Sequence, residues 1–264
     1  MISELFERVH KEKPLVHHIT NWVTIYDCAN ITRACGALPV MAHAREESGQ
    51  MAAIASAVVL NIGTLTPSLI ESMIIAGKSA HEKNIPVVLD AVGVGATTLR
   101  NEKALELLET INVDIVKGNA SEIAKLAGRD VVTKGVESTK VEDDLFEISK
   151  NLAKAHKTTV VITGEEDIVT DGKKRYIVRN GHRMMSCIVG TGCMAASVIG
   201  AFAAVEKDYA FASASALVCY GIAGELAADQ SRGPGTFKQN FFDEFYNLDN
   251  EKIRRLTNIE ERHA

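Results

Sequence analysis

Four runs, AVVLN at 57–61, PVVLD at 86–90, VDIVK at 113–117 and TTVVIT at 158–163, are apolar without alternation, and segments of helical length separate them. A strand with one solvated face alternates apolar and polar residues, so unbroken apolar runs predict strands covered on both faces. The segments between them, Pro67 to about Lys83, ATTLRNEKALELLETI and SEIAKLAG, have helical spacing. Strand and helix alternating in this way predict a mostly parallel sheet with helices on both faces. Further helices are expected near the N-terminus and over Ile25–Cys35, with a strand around LPVM and a helix end before Ser56. A charged, irregular stretch from Arg129 to Asp144 leads to a helix ending near Lys157, and the runs DIVT and KRYIV read as strands joined by an Asp171-Gly172 turn. The last third reads as three helices, Cys193–Val205, Tyr209–Ala228 and Phe237–Leu248, the last preceded by Gly-Pro-Gly at 233–235. No internal repeat or low-complexity linker interrupts the pattern, and 264 residues with 46% hydrophobic content suit one α/β domain over 1–264.

In a parallel sheet, ligands gather beyond the carboxyl ends of the strands. Those ends carry Asn61 and Gly63, then Asp90, then Lys117 and Asn119, then Thr163 and Gly164. Acids, a cation and a glycine turn converging there can hold Mg²⁺ and a polyphosphate. The stretch SCIVGTGCMAAS adds such a turn, with Gly190, Thr191, Gly192 and Cys193 opening a small-residue helix. Unpaired N–H groups in a helix's first turn attract anions, and glycine lets the anion approach the main chain. Close packing of the helix through its small residues is the competing explanation. Cys193 would have its thiolate stabilised at an open helix start, and would be inert in an apolar core. Asn119 and Glu122 have the spacing of a reciprocal capping box, which competes with a metal-side role for Glu122.

Other features carry less. AVGVGAT follows a strand, but Thr98 stands where a dinucleotide fingerprint needs its third glycine, and this is not the first strand of the unit. His17 and His18 lack a partner at metal-ligand spacing and read as hydrogen-bonded loop residues, and Cys28 and Cys35 have core spacing. Five cysteines without CxxC predict neither a disulfide framework nor a zinc site. A net charge of −5 without basic runs argues against nucleic acid and anionic membrane as partners. Met51–Ile70, Met184–Val205 and Tyr209–Gly224 are long and uncharged, yet breakers or small residues mark them as core segments rather than membrane spans. MISELFERVHKEKP lacks the layout of a signal peptide, so a cytoplasmic location is expected.

In order along the chain, PLVHHITNWVT, LPVMAHAREE, VVLNIGTL, IPVVLDAVGVGAT, VDIVKGNASEIAKLAG, VVITGEEDIVTDG, NGHRMMSCIVGTGCMAA, YGIAGELAA and GPGTF resemble the hydroxyethylthiazole kinases, a family with the three-layer ribokinase-like fold. The resemblance implies phosphorylation of the hydroxyl of 4-methyl-5-(2-hydroxyethyl)thiazole with ATP and Mg²⁺, in thiamine synthesis, by a homotrimer with active sites between subunits. It implies that Asn21, Val23, Met41, Gly63 and Gly190 line the thiazole site and that Lys117 and Thr163 contact nucleotide. Asp90 and Glu122 would lie near Mg²⁺ and its waters, Gly190, Thr191, Gly192 and Cys193 at the anion hole, and Cys193 at the attacking hydroxyl as base or orienter. A kinase of the same fold acting on a hydroxymethylpyrimidine, or a non-catalytic nucleotide- or thiazole-binding protein, are the alternatives. The chain departs from the family pattern at His18, where Asn is usual, at Ala91, where Pro is usual, and at Lys117, where Arg is usual. Lysine keeps the charge but not the planar fork, and alanine lacks the fixed φ of proline.

Overall fold

The computed structural model describes residues 1–129 and 138–263. Among the described residues nine strands form one sheet in the order β2-β1-β3-β4-β5-β6-β7-β8-β9. They are β1 (Leu15–Ile19), β2 (Leu38–Val40), β3 (Ala57–Asn61), β4 (Val87–Asp90), β5 (Ile115–Asn119), β6 (Thr159–Thr163), β7 (Asp167–Thr170), β8 (Lys174–Val178) and β9 (Ile259–His263). The first six pair in parallel, and β6 through β9 pair antiparallel. Unbroken apolar runs became the inner strands because successive residues feed opposite cores. Ala57 and Val59 of β3 pack on one face, and Val58 and Leu60 on the other.

The first face is covered by α1 (Ile2–Glu12), α2 (Ile25–Ala34), α8 (Thr191–Ala203), α9 (Tyr209–Asp229), α10 (Pro234–Tyr246) and α11 (Asn250–Leu256). The second is covered by α3 (Arg45–Ile54), α4 (Pro67–Glu82), α5 (Thr98–Thr110), α6 (Ala120–Leu126) and α7 (Ser138–His156). The result is the expected three-layer α/β/α arrangement with a mostly parallel centre. Helix α9 is long and apolar enough to cross a membrane, but it is packed inside the protein.

Four expectations need correction. The irregular stretch expected over Arg129–Asp144 lies outside the described residues at 130–137, and from Ser138 the chain is already helical. His17 and His18 are not loop residues. They lie in β1, fully buried, with His17 Nε2 2.8 Å from the Ala42 carbonyl and His18 Nδ1 3.1 Å from the Val16 carbonyl. The C-terminal helix ends at Tyr246, followed by a separate α11 and the edge strand β9. The small-residue helix begins at Thr191 rather than Cys193, because Gly190 at φ 98° serves as its N-cap.

The chain starts at β1, moves out to β2 and returns across to β3, so the sheet changes direction between β1 and β3. A crevice opens at such a switch, beyond the strand ends. Helix α8 crosses the same place. A Cβ at its Gly200 would fall 2.6 Å from Val59 Cγ2, so the absent side chain lets the helix lie directly on the sheet and sets its N-terminus over the strand ends.

Candidate active site

Asn21 follows β1, and Asn61 ends β3. The Asn21 Oδ1 accepts from the main-chain N–H groups of Val23 and Thr24 at 3.1 and 3.0 Å, and from the Thr24 hydroxyl at 3.1 Å. Its amide is thereby oriented, and Nδ2 donates to Asn61 Oδ1 at 2.9 Å and to Cys193 Sγ at 3.3 Å. Asn61 donates in turn to Asp90 Oδ2 at 2.6 Å and accepts from the Gly63 N–H at 2.9 Å. Lys117 Nζ closes the chain on Asp90 Oδ1 at 3.0 Å. Five side chains, from the segment after β1, the ends of β3 and β4, the middle of β5 and the start of α8, are thus linked, with Asn21, Asn61, Asp90 and Lys117 all buried.

Lys117 also reaches the glycine turn. A Cβ on Gly192 would stand 3.2 Å from Lys117 Nζ, so the ammonium lies against the first turn of α8. Gly190 is required by its positive φ, and a Cβ there would strike Thr24 Cγ2 at 2.7 Å. The turn is partly buried, and Val189 before it is exposed. Gly200 serves close packing on Val59, Gly190 its positive φ and its fit against Thr24, and Gly192 the approach of the Lys117 ammonium to the first turn.

Burial would lower the Lys117 amine, but the carboxylate of Asp90 and its hydrogen bond outweigh it and leave the amine above its ordinary value. Burial pushes Asp90 up, against the pull of Lys117 and Asn61. A raised lysine is an ammonium at neutral pH, and the facing Asp90 is its counterion. Of the two readings of Cys193, the surroundings favour the unionised one. Burial, then repulsion from Asp90, push its thiol up despite Thr24, Lys117 and Asn61. Helix dipoles act over about one turn with modest strength, and dry surroundings next to a carboxylate exceed them.

Glu122 is a cap and more. Asn119 Oδ1 accepts from the Glu122 N–H at 2.9 Å, and Glu122 Oε2 accepts from the Asn119 N–H at 2.7 Å, completing the capping box. The other carboxylate oxygen accepts from the Gly93 N–H at 2.7 Å. Asp90 and Glu122 are hard oxygen donors close enough to repel. Each of their oxygens already accepts one hydrogen bond and keeps a further lone pair. This suits Mg²⁺, which retains most of its waters and takes few protein ligands beside substrate phosphates. Among the described residues no group of three or more His, Cys, Asp or Glu forms a preorganised metal cage. Beside Glu122 a cavity of about 420 Å³ is lined by Gly93, Gly95, Asn119, Lys125 and Arg129.

Thr163 ends β6 with its hydroxyl 3.5 Å from the Gly118 carbonyl, next to β5. Met41 follows β2, one strand beyond Asn21, half-buried. Val23 joins the cluster through its main chain only, and its exposed side chain faces a second groove, of about 1230 Å³, with Tyr26, Val189, Pro234 and Tyr246. Ala91 has a physical account. Its N–H donates to the Lys117 carbonyl at 2.9 Å, a bond proline cannot make, so ladder pairing supplies the order a ring would. His18 is a buried neutral residue, its ring pushed down to about 3 by burial, and it contacts the α2 side through Thr32. Asn61 was visible in the sequence as a strand-end residue, but its central place in the chain of hydrogen bonds was not.

The chain matches the model of the hydroxyethylthiazole kinase family over residues 6–251. It is 58% identical over 253 residues to the hydroxyethylthiazole kinase of Methanosarcina mazei, covering 96% of this chain and 97% of that one. The solved structure of the hydroxyethylthiazole kinase protein from Pyrococcus horikoshii is similar with a TM-score of 0.92 and 41% identity, covering 99% of this chain and 98% of that one. A ribokinase-like superfamily protein from Enterococcus faecalis shares the fold at a TM-score of 0.66 and 14% identity, covering 94% and 95%.

Proposed function

Because the chain belongs to the hydroxyethylthiazole kinase family, we propose that residues 1–264 form one cytosolic kinase domain that transfers the γ-phosphoryl group of ATP to the hydroxyl of 4-methyl-5-(2-hydroxyethyl)thiazole. One observation carries the assignment of the site: the start of α8 meets the Lys117 ammonium at Gly192, and the next residue, Cys193, is hydrogen-bonded into the Asn21-Asn61-Asp90 chain. Phosphoryl transfer asks a protein mainly to position reactants and neutralise charge.

Each part has a role on that scheme. The main-chain amides of Gly190, Thr191, Gly192 and Cys193 receive charge on the transferring group, and Lys117 adds a fixed cation beside them. Asn21, Gly63 and Gly190 form the acceptor side, with Val23 and Met41 at its border, and Thr163 faces the nucleotide. Mg²⁺, when bound near Asp90 and Glu122, neutralises phosphate charge. Cys193, a thiol that cannot itself take a proton, orients the acceptor hydroxyl, whose proton passes late to an oxygen of the transferred phosphoryl group when the transition state is loose. The exposed Val23, Tyr26, Val189 and Tyr246 around the larger groove support a homotrimer with active sites between subunits.

ADP release measured with the thiazole alcohol and with a hydroxymethylpyrimidine, with and without Mg²⁺, tests the proposal. Thiazole-dependent, Mg²⁺-dependent ADP is expected. Pyrimidine-dependent ADP alone moves the acceptor, and no acceptor-dependent ADP leaves a binding protein. Light scattering of the protein tests the trimer.

A further inference from the structure

Arg100 stands at the third position of α5, where a positive charge opposes the helix dipole. Its Nη1 donates to the carbonyls of Ile62 at 2.7 Å and Val92 at 2.8 Å, and its Nη2 donates to the carbonyl of Gly63 at 2.7 Å. The first two acceptors matter most. The Ile62 carbonyl and the Gly63 N–H belong to one peptide group, and the Val92 carbonyl and the Gly93 N–H to another. A peptide group is planar, so fixing its oxygen fixes the direction of its N–H. The Gly63 N–H is held by Asn61, and the Gly93 N–H by Glu122. One guanidinium nitrogen therefore ties together two peptide groups that are gripped at their far ends by residues of the acceptor side and of the metal side. Gly93, at φ 77°, lies so near that a Cβ would be 3.1 Å from Arg100 Cδ, and the loop rests on the arginine stem.

We propose that Arg100 is a positioning residue that sets the distance between the acceptor turn at Gly63 and the Glu122 side of the site. The proposal rests on the kinase reading above, but its structural half does not need turnover. A lysine cannot replace it, because a single ammonium cannot present three donors in a planar fork to three carbonyls.

The test uses Arg100→Ala and Arg100→Lys in the full chain. Amide exchange by NMR, without nucleotide or metal, is expected to quicken at both Gly63 and Gly93 while amides of β5 and β6 keep their rates. In steady state, the acceptor KM and the Mg²⁺ half-saturation are expected to rise together by about tenfold to a hundredfold, as misplacement by an ångström does, with a smaller fall in kcat. Guanidinium ion at low, non-denaturing concentration should restore Arg100→Ala in part, and methylammonium should not. Unchanged exchange at both glycines, or a lowered melting temperature with both constants at their wild-type values, overturns the proposal. Should Arg100→Ala fail to fold, Arg100→Lys decides by the same readings. A wild-type protein without acceptor-dependent ADP overturns the kinase reading, and the exchange data still judge the clamp.

Discussion

Replacing Lys117 by methionine separates what its charge does for the fold from what it does for the reaction. The ammonium and Asp90 are 3.0 Å apart, with side chains 4% and 0% exposed. Removing one member of a buried pair strands the other, at a cost of about 3–5 kcal/mol. For a chain of this size each kcal/mol lowers the melting temperature by about 2–4 °C, so Lys117→Met should melt about 6–20 °C early. Asp90 then has every reason to take up a proton, since burial already pushes it up and its main opposing cation is gone. Asp90→Asn removes that stranded charge, so the double variant should regain most of the lost stability, and the coupling in the four-corner cycle should be about 3 kcal/mol. Activity should not follow. Loss of the cation beside the α8 turn should lower kcat about 100- to 1000-fold in the single variant, and no less in the double variant, which also loses the Asp90 carboxylate from the metal side. Urea unfolding and initial rates of ADP formation provide both readings. A cost under about 1 kcal/mol for Lys117→Met would place the pair among screened surface bridges and refute the dry-site argument. Recovery of kcat in the double variant would refute the role of the charge.

Cys193→Ala should lower kcat about 100-fold through loss of acceptor orientation while costing about 1 kcal/mol of stability, chiefly the lost partner of the Asn21 amide; wild-type turnover in that variant would remove sulfur from the mechanism. The pH dependence of stability carries two signatures of opposite sign. Burial holds His18 near 3, below its unfolded value of about 6.5, so the unfolded chain takes protons first and stability falls as pH drops through that window; His18→Asn should flatten this acid limb in pH-dependent urea curves. Burial pushes Asp167 up to about 7, against its bond to the Gly164 N–H, so its contribution is largest below about 4 and is lost as pH rises to 7; Asp167→Asn should abolish that slope. Gly221→Ala reverses the usual helix preference. Alanine gains about 1 kcal/mol inside a helix, but here its Cβ would stand 2.4 Å from the Asn180 carbonyl oxygen. Asn180 cannot withdraw, since Glu225, Leu256 and Asn258 hold it, so a lower melting temperature is expected and a higher one would refute the packing argument.

What the sequence made legible follows from which residues answer to local forces. The inner strands β3 to β6 were readable because burial on both faces leaves no room for polar alternation. Strand β1 was hidden by His17 and His18, whose polarity suggests a loop, whereas in the fold one ring nitrogen of each meets a main-chain carbonyl, of Ala42 and of Val16. Strand β9, with the sequence IEERH, was hidden for the opposite reason: it is an edge strand, and an edge can be as charged as the solvent it faces. The capping role of Glu122 was local and therefore readable, whereas its second bond, to Gly93, comes from a loop 29 residues earlier.

The same division explains the candidate site. Gly190, Gly192 and Cys193 announce a helix start, and from that start alone a stabilised thiolate and an inert core thiol both stay open. The direction of the Cys193 shift is decided instead by the depth at which α8 buries it, and then by Asp90, brought up by a different strand. That depth is set by the missing side chain of Gly200 against Val59. One stripe of small residues thus does two jobs at two ends of one helix. Its inner end lowers the helix onto the sheet, and that lowering presses the amides and the sulfur of its outer end against the Lys117-Asp90 pair. A local pattern can supply the donors, but the protonation state of the group among them belongs to the tertiary structure.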